Sequence, residues 1–324
     1  MSNYYPEGRL QDSCENQKYL GSYQGLQDAM IQGKVLEARA AVCDAGHDLL
    51  VDLGFCQGVI HHREGAIGME DGSTRDIAII SRVNKPVSFL VTGFEVDSTG
   101  MVRPVLSRRQ AQLRCREEYL DRLQPGDIID ARVTHLEPFG CFVDIGCGIS
   151  SLIPIDAISV SRITHPSDRF RVGMDIRAVV RGRDELGRIT LSHKELLGSW
   201  EQNAARFQAG ETVSGVIRSV EEYGVFVELA PNLAGLAEPR PGARPGQQAS
   251  VYIKSLIPER MKVKLIIIDS FDAPASAGPE PLTYYVQERH ISRWDYSPEG
   301  CRKQVFTDFT ADAADGDPDG MGPK

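Results

Sequence analysis

The sequence predicts an all-β-dominated chain of three tandem five-stranded barrels joined by short α-helices, with an acidic C-terminal extension. Three observations carry this expectation: an internal repeat, period-two alternation of apolar residues within each repeat, and helical spacing between repeats. Residues 125–145, PGDIIDARVTHLEPFGCFVDI, align without a gap on residues 209–229, AGETVSGVIRSVEEYGVFVEL, at a constant offset of 84. Gly126 pairs with Gly210, Phe139 with Tyr223, and Phe142 with Phe226. A weaker copy, GKVLEARAAVCDAGHDLLVDL, occupies residues 33–53 and is one residue longer at its turn. A chain of 324 residues also exceeds what a single hydrophobic core normally fills.

Taken in order, residues 1–32 read as an N-terminal segment and helix, and 33–110 as a first, degenerate barrel. Tyr23 and Met30 stand at helical spacing before Gly33. A linker helix over 111–124 leads to the second barrel at 125–194. There Ile129, Ala131 and Val133 alternate with Asp130, Arg132 and Thr134, and Cys141, Val143 and Ile145 with Phe142 and Asp144. Apolar runs at 149–153, 176–180 and 188–191 bring the strands to five, which suits a small closed barrel. Residues 195–208 form a second linker helix, whose Trp200, Ala204 and Phe207 recur at helical spacing and pack on the next core. The third barrel spans 209–268, and the extension 269–324 ends in ADAADGDPDGMGPK, which has almost nothing to bury and is expected to be disordered. Within that extension the aromatic-rich stretch 282–298 reads as a hairpin or docking segment.

No apolar run approaches the length needed to span a bilayer, and MSNYYPEGRL carries neither a basic leader nor an apolar segment, so a cytoplasmic location without membrane contact is expected. Seven cysteines form no CxxC pair, which predicts no structural zinc and no other metal or cofactor. The net charge of -9 looks unsuited to phosphate binding, but it is unevenly distributed. Residues 269–324 carry 11 acidic and 5 basic side chains, whereas 208–268 carry 6 and 7.

Period-two geometry turns Phe142 and Phe226 away from their Val, Ile and Leu neighbours, onto the face of Asp144 and Glu228, two carboxylates expected in water. Phe139 and Tyr223 lie three residues earlier, at the turn, so each barrel presents a pair of rings. Such pairs suit stacking of unpaired bases, and Arg132 and Arg188 in the second barrel, with Arg218 and Lys262 in the third, are placed to follow phosphates. Rings plugging a barrel end would be the structural alternative; two matched copies weaken it.

The chain resembles the ribosomal protein S-one domain family, a branch of the oligonucleotide-binding barrels, over residues 20–268. The second unit carries nearly all of the motif: VTHLEPFGCFVDI, then SSLIP, then DELGRITLSHK. The resemblance implies that Phe139, Phe142, Asp184, Arg188 and Lys194 occupy the family's RNA-binding positions, with Asp184 orienting Arg188. The connector GSWEQNAARFQAGETVSG resembles the linkage of the multi-barrel bacterial small-subunit ribosomal proteins. The first unit departs, with His47 and Leu50 where rings should stand, although His61 in GVIHH matches a family histidine that contacts nucleic acid. Leading barrels of that family commonly dock proteins, which implies the small ribosomal subunit as a partner of this unit. The third keeps Tyr223 and Phe226 but has IPERMKVKL, leaving Lys262 at the arginine position.

The function expected is non-enzymatic capture of single-stranded messenger RNA in translation by a monomer, since no coiled-coil heptads appear. A regulator of RNA processing or decay, and a protein-binding scaffold, are the alternatives. An enzyme is disfavoured: once three barrels are assigned, the remaining extension holds no phosphate loop, metal spacing or nucleophile elbow, and His290 and Asp295 read as surface residues.

Overall fold

The structure, a computed structural model, describes residues 4–96, 100–272 and 282–310. Three closed barrels are present, each of five strands in the order first, second, third, fifth, fourth, with the fourth closing on the first. In each, the fifth strand runs parallel to the third and seals the barrel there.

The first barrel is preceded by α1 (Cys14–Leu20) and α2 (Tyr23–Gln32) and consists of β1 (Leu36–Cys43), β2 (Leu49–Asp52), β3 (Gln57–Ile60), β4 (Pro86–Val96) and β5 (Val102–Ser107). A short helix, α3 (Ile77–Ile80), lies between β3 and β4. Leu36, Ala38, Ala40, Leu49, Val51, Phe89 and Leu106 fill the interior, as alternation demands. The linker helix α4 (Arg108–Glu118) starts three residues before the expected position 111, where the Ser107 hydroxyl accepts from the Gln110 N–H as a cap. Its first residue, Arg108, is buried and donates from Nε to Glu7 Oε1 at 2.7 Å; Arg82 donates to the same carboxylate at 3.3 Å. These ion pairs belong to a compact unit of Met1–Leu123, Asp130–Arg132 and Asp144–Ser150.

The second barrel contains β6 (Ile128–Glu137), β7 (Gly140–Asp144), β8 (Ser150–Pro154), β9 (Asp175–Arg183) and β10 (Ile189–Ser192). Then α5 (Trp200–Ala204) begins with a reciprocal capping box between Ser199 and Gln202 and buries Trp200 and Ala204 against the third core. The third barrel is built from β11 (Thr212–Glu221), β12 (Gly224–Ala230), β13 (Leu233–Ala237), β14 (Gln248–Ile257) and β15 (Lys262–Phe271); its last strand runs three residues past the expected end at 268.

The aromatic stretch forms a strap within the second compact unit, which comprises Gln124–Ile129, Val133–Val143 and Ser151–Lys324. Residues 284–291 lie on the second barrel: Tyr285 N–H donates to the Leu196 carbonyl at 2.9 Å, and Ile128 N–H to the Arg289 carbonyl at 2.8 Å. A two-stranded hairpin, β16 (Arg293–Asp295) and β17 (Phe306–Asp308), follows, and Trp294 and Tyr296 enter the third barrel's core. The Tyr296 hydroxyl donates to the Asn232 carbonyl at 2.7 Å. The expected disorder of ADAADGDPDGMGPK falls on residues 311–324, outside the described residues. Among the described residues no helix is long and apolar enough to cross a membrane.

His193 ties this strap to the second barrel and gives it a pH dependence. Its Nδ1 faces the Ile158 carbonyl at 3.1 Å and must donate, so Nε2 accepts from the Tyr284 hydroxyl at 3.2 Å and the ring is neutral. Burial lowers its pKa from 6.5 to about 4. The unfolded chain therefore binds a proton that the folded chain excludes, and stability is lost as pH falls from 6.5 towards 4. Urea denaturation at pH 7 and pH 4.5 is expected to show a loss on the order of 3 kcal/mol attributable to this ring. In His193→Gln that part of the pH dependence should vanish, and an unchanged dependence would assign it elsewhere.

Candidate nucleic-acid interface

The ring pairs take the same form in the second and third barrels. Phe139 is 56% exposed at the turn between β6 and β7, and Phe142 on β7 is half-buried beside it. Their ring centroids are 6.0 Å apart with planes at 88°. Tyr223, 67% exposed, and Phe226 repeat this at 6.2 Å and 88°. In an edge-to-face pair the inner ring fixes the outer one and leaves it a free π-face. The expected exposure of both rings is thus corrected in part: the turn ring is open, whereas the strand ring is half-covered.

A leucine side chain lies against the glycine of each pair. A Cβ on Gly140 would come within 3.0 Å of Leu152 Cδ1, and one on Gly224 within 2.7 Å of Leu236 Cδ1. Glycine between the two rings lets that leucine come this close. Strand register extends the row in the third barrel, where Ser219 lies opposite Phe226, Phe226 opposite Leu236, and Leu236 opposite Lys264. Lys264 is exposed in the row of the ring; Lys262, the residue expected there, is exposed two positions earlier. Leu152, Leu236 and Lys264 were missed because their placement depends on strand pairing, that of Leu236 on β12 with β13 and that of Lys264 on β13 with β15.

The cations divide into free and committed ones. Arg188 is 71% exposed; its Nε donates to Asp184 Oδ2 at 2.7 Å and its backbone N–H to Oδ1 at 2.8 Å. These bonds, the backbone one first, hold the Asp184 carboxyl below its ordinary range. Lys194 opens the 3-10 turn Lys194–Leu197 and is half-buried. Arg132 and Arg218 depart from expectation. Arg132 Nη1 donates to the Glu7 carbonyl at 3.1 Å, so it serves the N-terminal segment. Arg218 is the extra residue of a β-bulge between β11 and β12, and its side chain lies beside Glu228 on the covered outer face. There it is only 12% exposed and pairs with Glu228 at 3.0 Å and Asp168 at 3.1 Å.

The two carboxylates expected in water are also buried. Glu228 is clasped by Arg218 and by Arg169, whose Nη2 lies 2.5 Å away. Asp144 accepts the backbone N–H groups of Glu7, Gly146 and Gly148. Burial, reinforced by the Glu7 charge, raises its pKa to about 7. Alternation put these residues on the outer face correctly; other chain segments cover that face.

In the first barrel the ring positions hold His47 and half-buried Leu50. His61 Nδ1 meets Asp48 at 2.9 Å and Nε2 meets Glu95 at 3.4 Å. The bond to Asp48 raises its pKa, and the flanking carboxylates disfavour an approaching phosphate. Among the described residues, one cluster has donors spaced for a metal ion: His47, His62 and Asp76, in this same barrel.

Residues 122–194 match the family described as S1 RNA binding domain. The second barrel is therefore an S1 RNA-binding domain. The chain is 27% identical over 263 residues to the small ribosomal subunit protein bS1 of Staphylococcus aureus (strain COL), covering 76% of this chain and 64% of that one. It is 34% identical over 157 residues to the small ribosomal subunit protein bS1 homolog of Bacillus subtilis (strain 168), covering 47% of this chain and 40% of the relative. The chain thus spans less than two thirds of the length of these relatives. A crystal structure of a multidomain protein with nucleic acid binding domains from Streptococcus pneumoniae is 14% identical over 75% of this chain and 76% of that one, at a TM-score of 0.24.

Proposed function

We propose that this protein binds single-stranded RNA without catalysis, laying bases on the Phe139–Phe142 and Tyr223–Phe226 pairs, and that it captures messenger RNA as a ribosome-associated monomer in the cytoplasm. The observation that carries the reading is the repetition of one ring geometry in two barrels. The two pairs match in spacing, 6.0 Å and 6.2 Å, and in angle, 88°, at equivalent positions of their barrels. The names of the S. aureus and B. subtilis relatives support the ribosomal association. Exposed Arg188, Lys262 and Lys264 supply phosphate contacts.

Titration of single-stranded RNA at two salt concentrations tests this. Affinity should fall steeply with salt, and Arg188→Ala should lower the slope of log K against log salt by about one while weakening all sequences alike. A flat salt response would remove the phosphate part of the reading. A protein-docking role for the first barrel is favoured by His47 and Leu50 standing at the two ring positions and by the acidic flank of His61. Co-sedimentation with small ribosomal subunits that is lost when residues 4–107 are deleted would support it; retention would transfer the contact to the later barrels.

A further inference from the structure

We propose that the first barrel carries a binding site for one divalent transition-metal ion of the zinc class, formed by His47, His62 and Asp76. The three side chains offer one donor atom each, all within 4.8 Å of one another. Asp76 stands between the imidazoles: Oδ1 is 2.7 Å from His62 Nε2, and Oδ2 is 3.4 Å from His47 Nδ1. Zinc bonds of about 2.0 to 2.1 Å in a tetrahedron put neighbouring ligand atoms roughly 3.3 Å apart. His47 and His62 face different oxygens of Asp76, and the three donors, within 4.8 Å of one another, would draw inward onto one ion.

The donors come from three separate segments, and each is held by its own backbone. His47 sits in the turn between β1 and β2 at a φ of 65°, a left-handed conformation that costs a non-glycine residue roughly 1 kcal/mol or more. Asp44 secures the turn: its Oδ1 accepts from the N–H groups of Gly46 and Asp48, and its carbonyl from that of His47. The backbone N–H of His62 donates to Asp48 Oδ1 at 2.7 Å just after β3. Asp76 immediately precedes α3. A left-handed histidine aimed at a second histidine and a shared carboxylate is a costly arrangement for a plain surface turn.

Two imidazoles and one carboxylate suit zinc, cobalt or nickel, whereas magnesium and calcium demand more oxygen donors. Three protein ligands leave a fourth position, and all three side chains are partly exposed, so solvent or an external oxygen donor can take it. His47 occupies the place that the exposed ring takes in the other two barrels. A bound ion would therefore put positive charge where they put a π-face.

Cobalt(II), added alone to the metal-stripped full chain, is the probe. One equivalent should bind with visible d–d absorption, zinc should displace it, and magnesium or calcium should not. His47→Asn, which preserves a residue tolerant of the left-handed turn, and His62→Gln should each weaken cobalt binding at least about tenfold. His135→Gln, far from the cluster in sequence and on β6, should not. Absence of saturable binding in the wild type, binding undiminished in folded His47→Asn and His62→Gln, or thiolate-to-cobalt charge transfer from a cysteine site would each overturn the proposal.

Discussion

Replacing Phe139, Phe142, Tyr223 and Phe226 together with alanine is expected to weaken single-stranded RNA binding by about 2 to 6 kcal/mol, at least roughly 30-fold. On the proposed reading each pair would hold one base worth about 1 to 3 kcal/mol of stacking, and the two barrels would add if one strand engaged both. The half-buried Phe142 and Phe226 also touch the barrel, so the variant's unfolding midpoint is measured alongside. Phe139→Ala with Tyr223→Ala removes only the exposed rings and should retain wild-type stability while losing much of the same affinity. Fluorescence anisotropy with a labelled oligonucleotide gives the result. An affinity within twofold of wild type in the four-ring variant would end the stacking account and leave a protein-binding scaffold as the better reading.

Glu228→Ala should cost about 3 to 5 kcal/mol of stability, read as a lower urea midpoint. Glu228 is 7% exposed and lies between Arg169, 4% exposed, and Arg218, with Asp168 completing the cluster. Removing it leaves two guanidinium groups facing one carboxylate in a poorly solvated place, and it is this uncompensated charge that destabilises. Glu228→Gln keeps the shape and should lose nearly as much, because the charge and not the volume is responsible. The double change Arg169→Met, Glu228→Met should recover part of the loss, since apolar residues of similar volume often match a buried ion pair. A midpoint for Glu228→Ala within experimental error of wild type would mean that water reaches the cluster. Arg169 comes from the connection between β8 and β9 of the second barrel and Glu228 from β12 of the third, so the same cluster joins two barrels of one compact unit.

How much of this was legible beforehand differs by residue. The offset of 84 between Phe139 and Tyr223 and between Phe142 and Phe226 foretold the matched ring pairs, because strand pleating is local and survives any tertiary environment. Asp184 beside Arg188 was legible from the family resemblance, and the two are four residues apart across one tight turn. Arg218 was misread because the segment carrying Asp168 and Arg169, far away in the chain, covers its face and engages it and Glu228 there. Asp144 and Glu228 were placed on the correct face, yet what covers that face arrives from Glu7 and Arg169, far away in the chain. Lys264 required the parallel pairing of β13 with β15, a register that no local pattern encodes. The strap was suspected from its aromatic density, but its docking on Leu196 and Asn232 could not be foreseen.

By itself, then, the sequence determined the number of barrels, the faces of their strands and the recurrence of two rings, since each follows from backbone geometry acting over a few residues. Only the tertiary structure decided which charges meet water. It buried Asp144, Glu228 and Arg218, freed Arg188 and Lys264, and brought His47, His62 and Asp76 together. The energy of a charge depends on the solvent and counter-charges around it, and those are set by segments that become neighbours only when the barrels close.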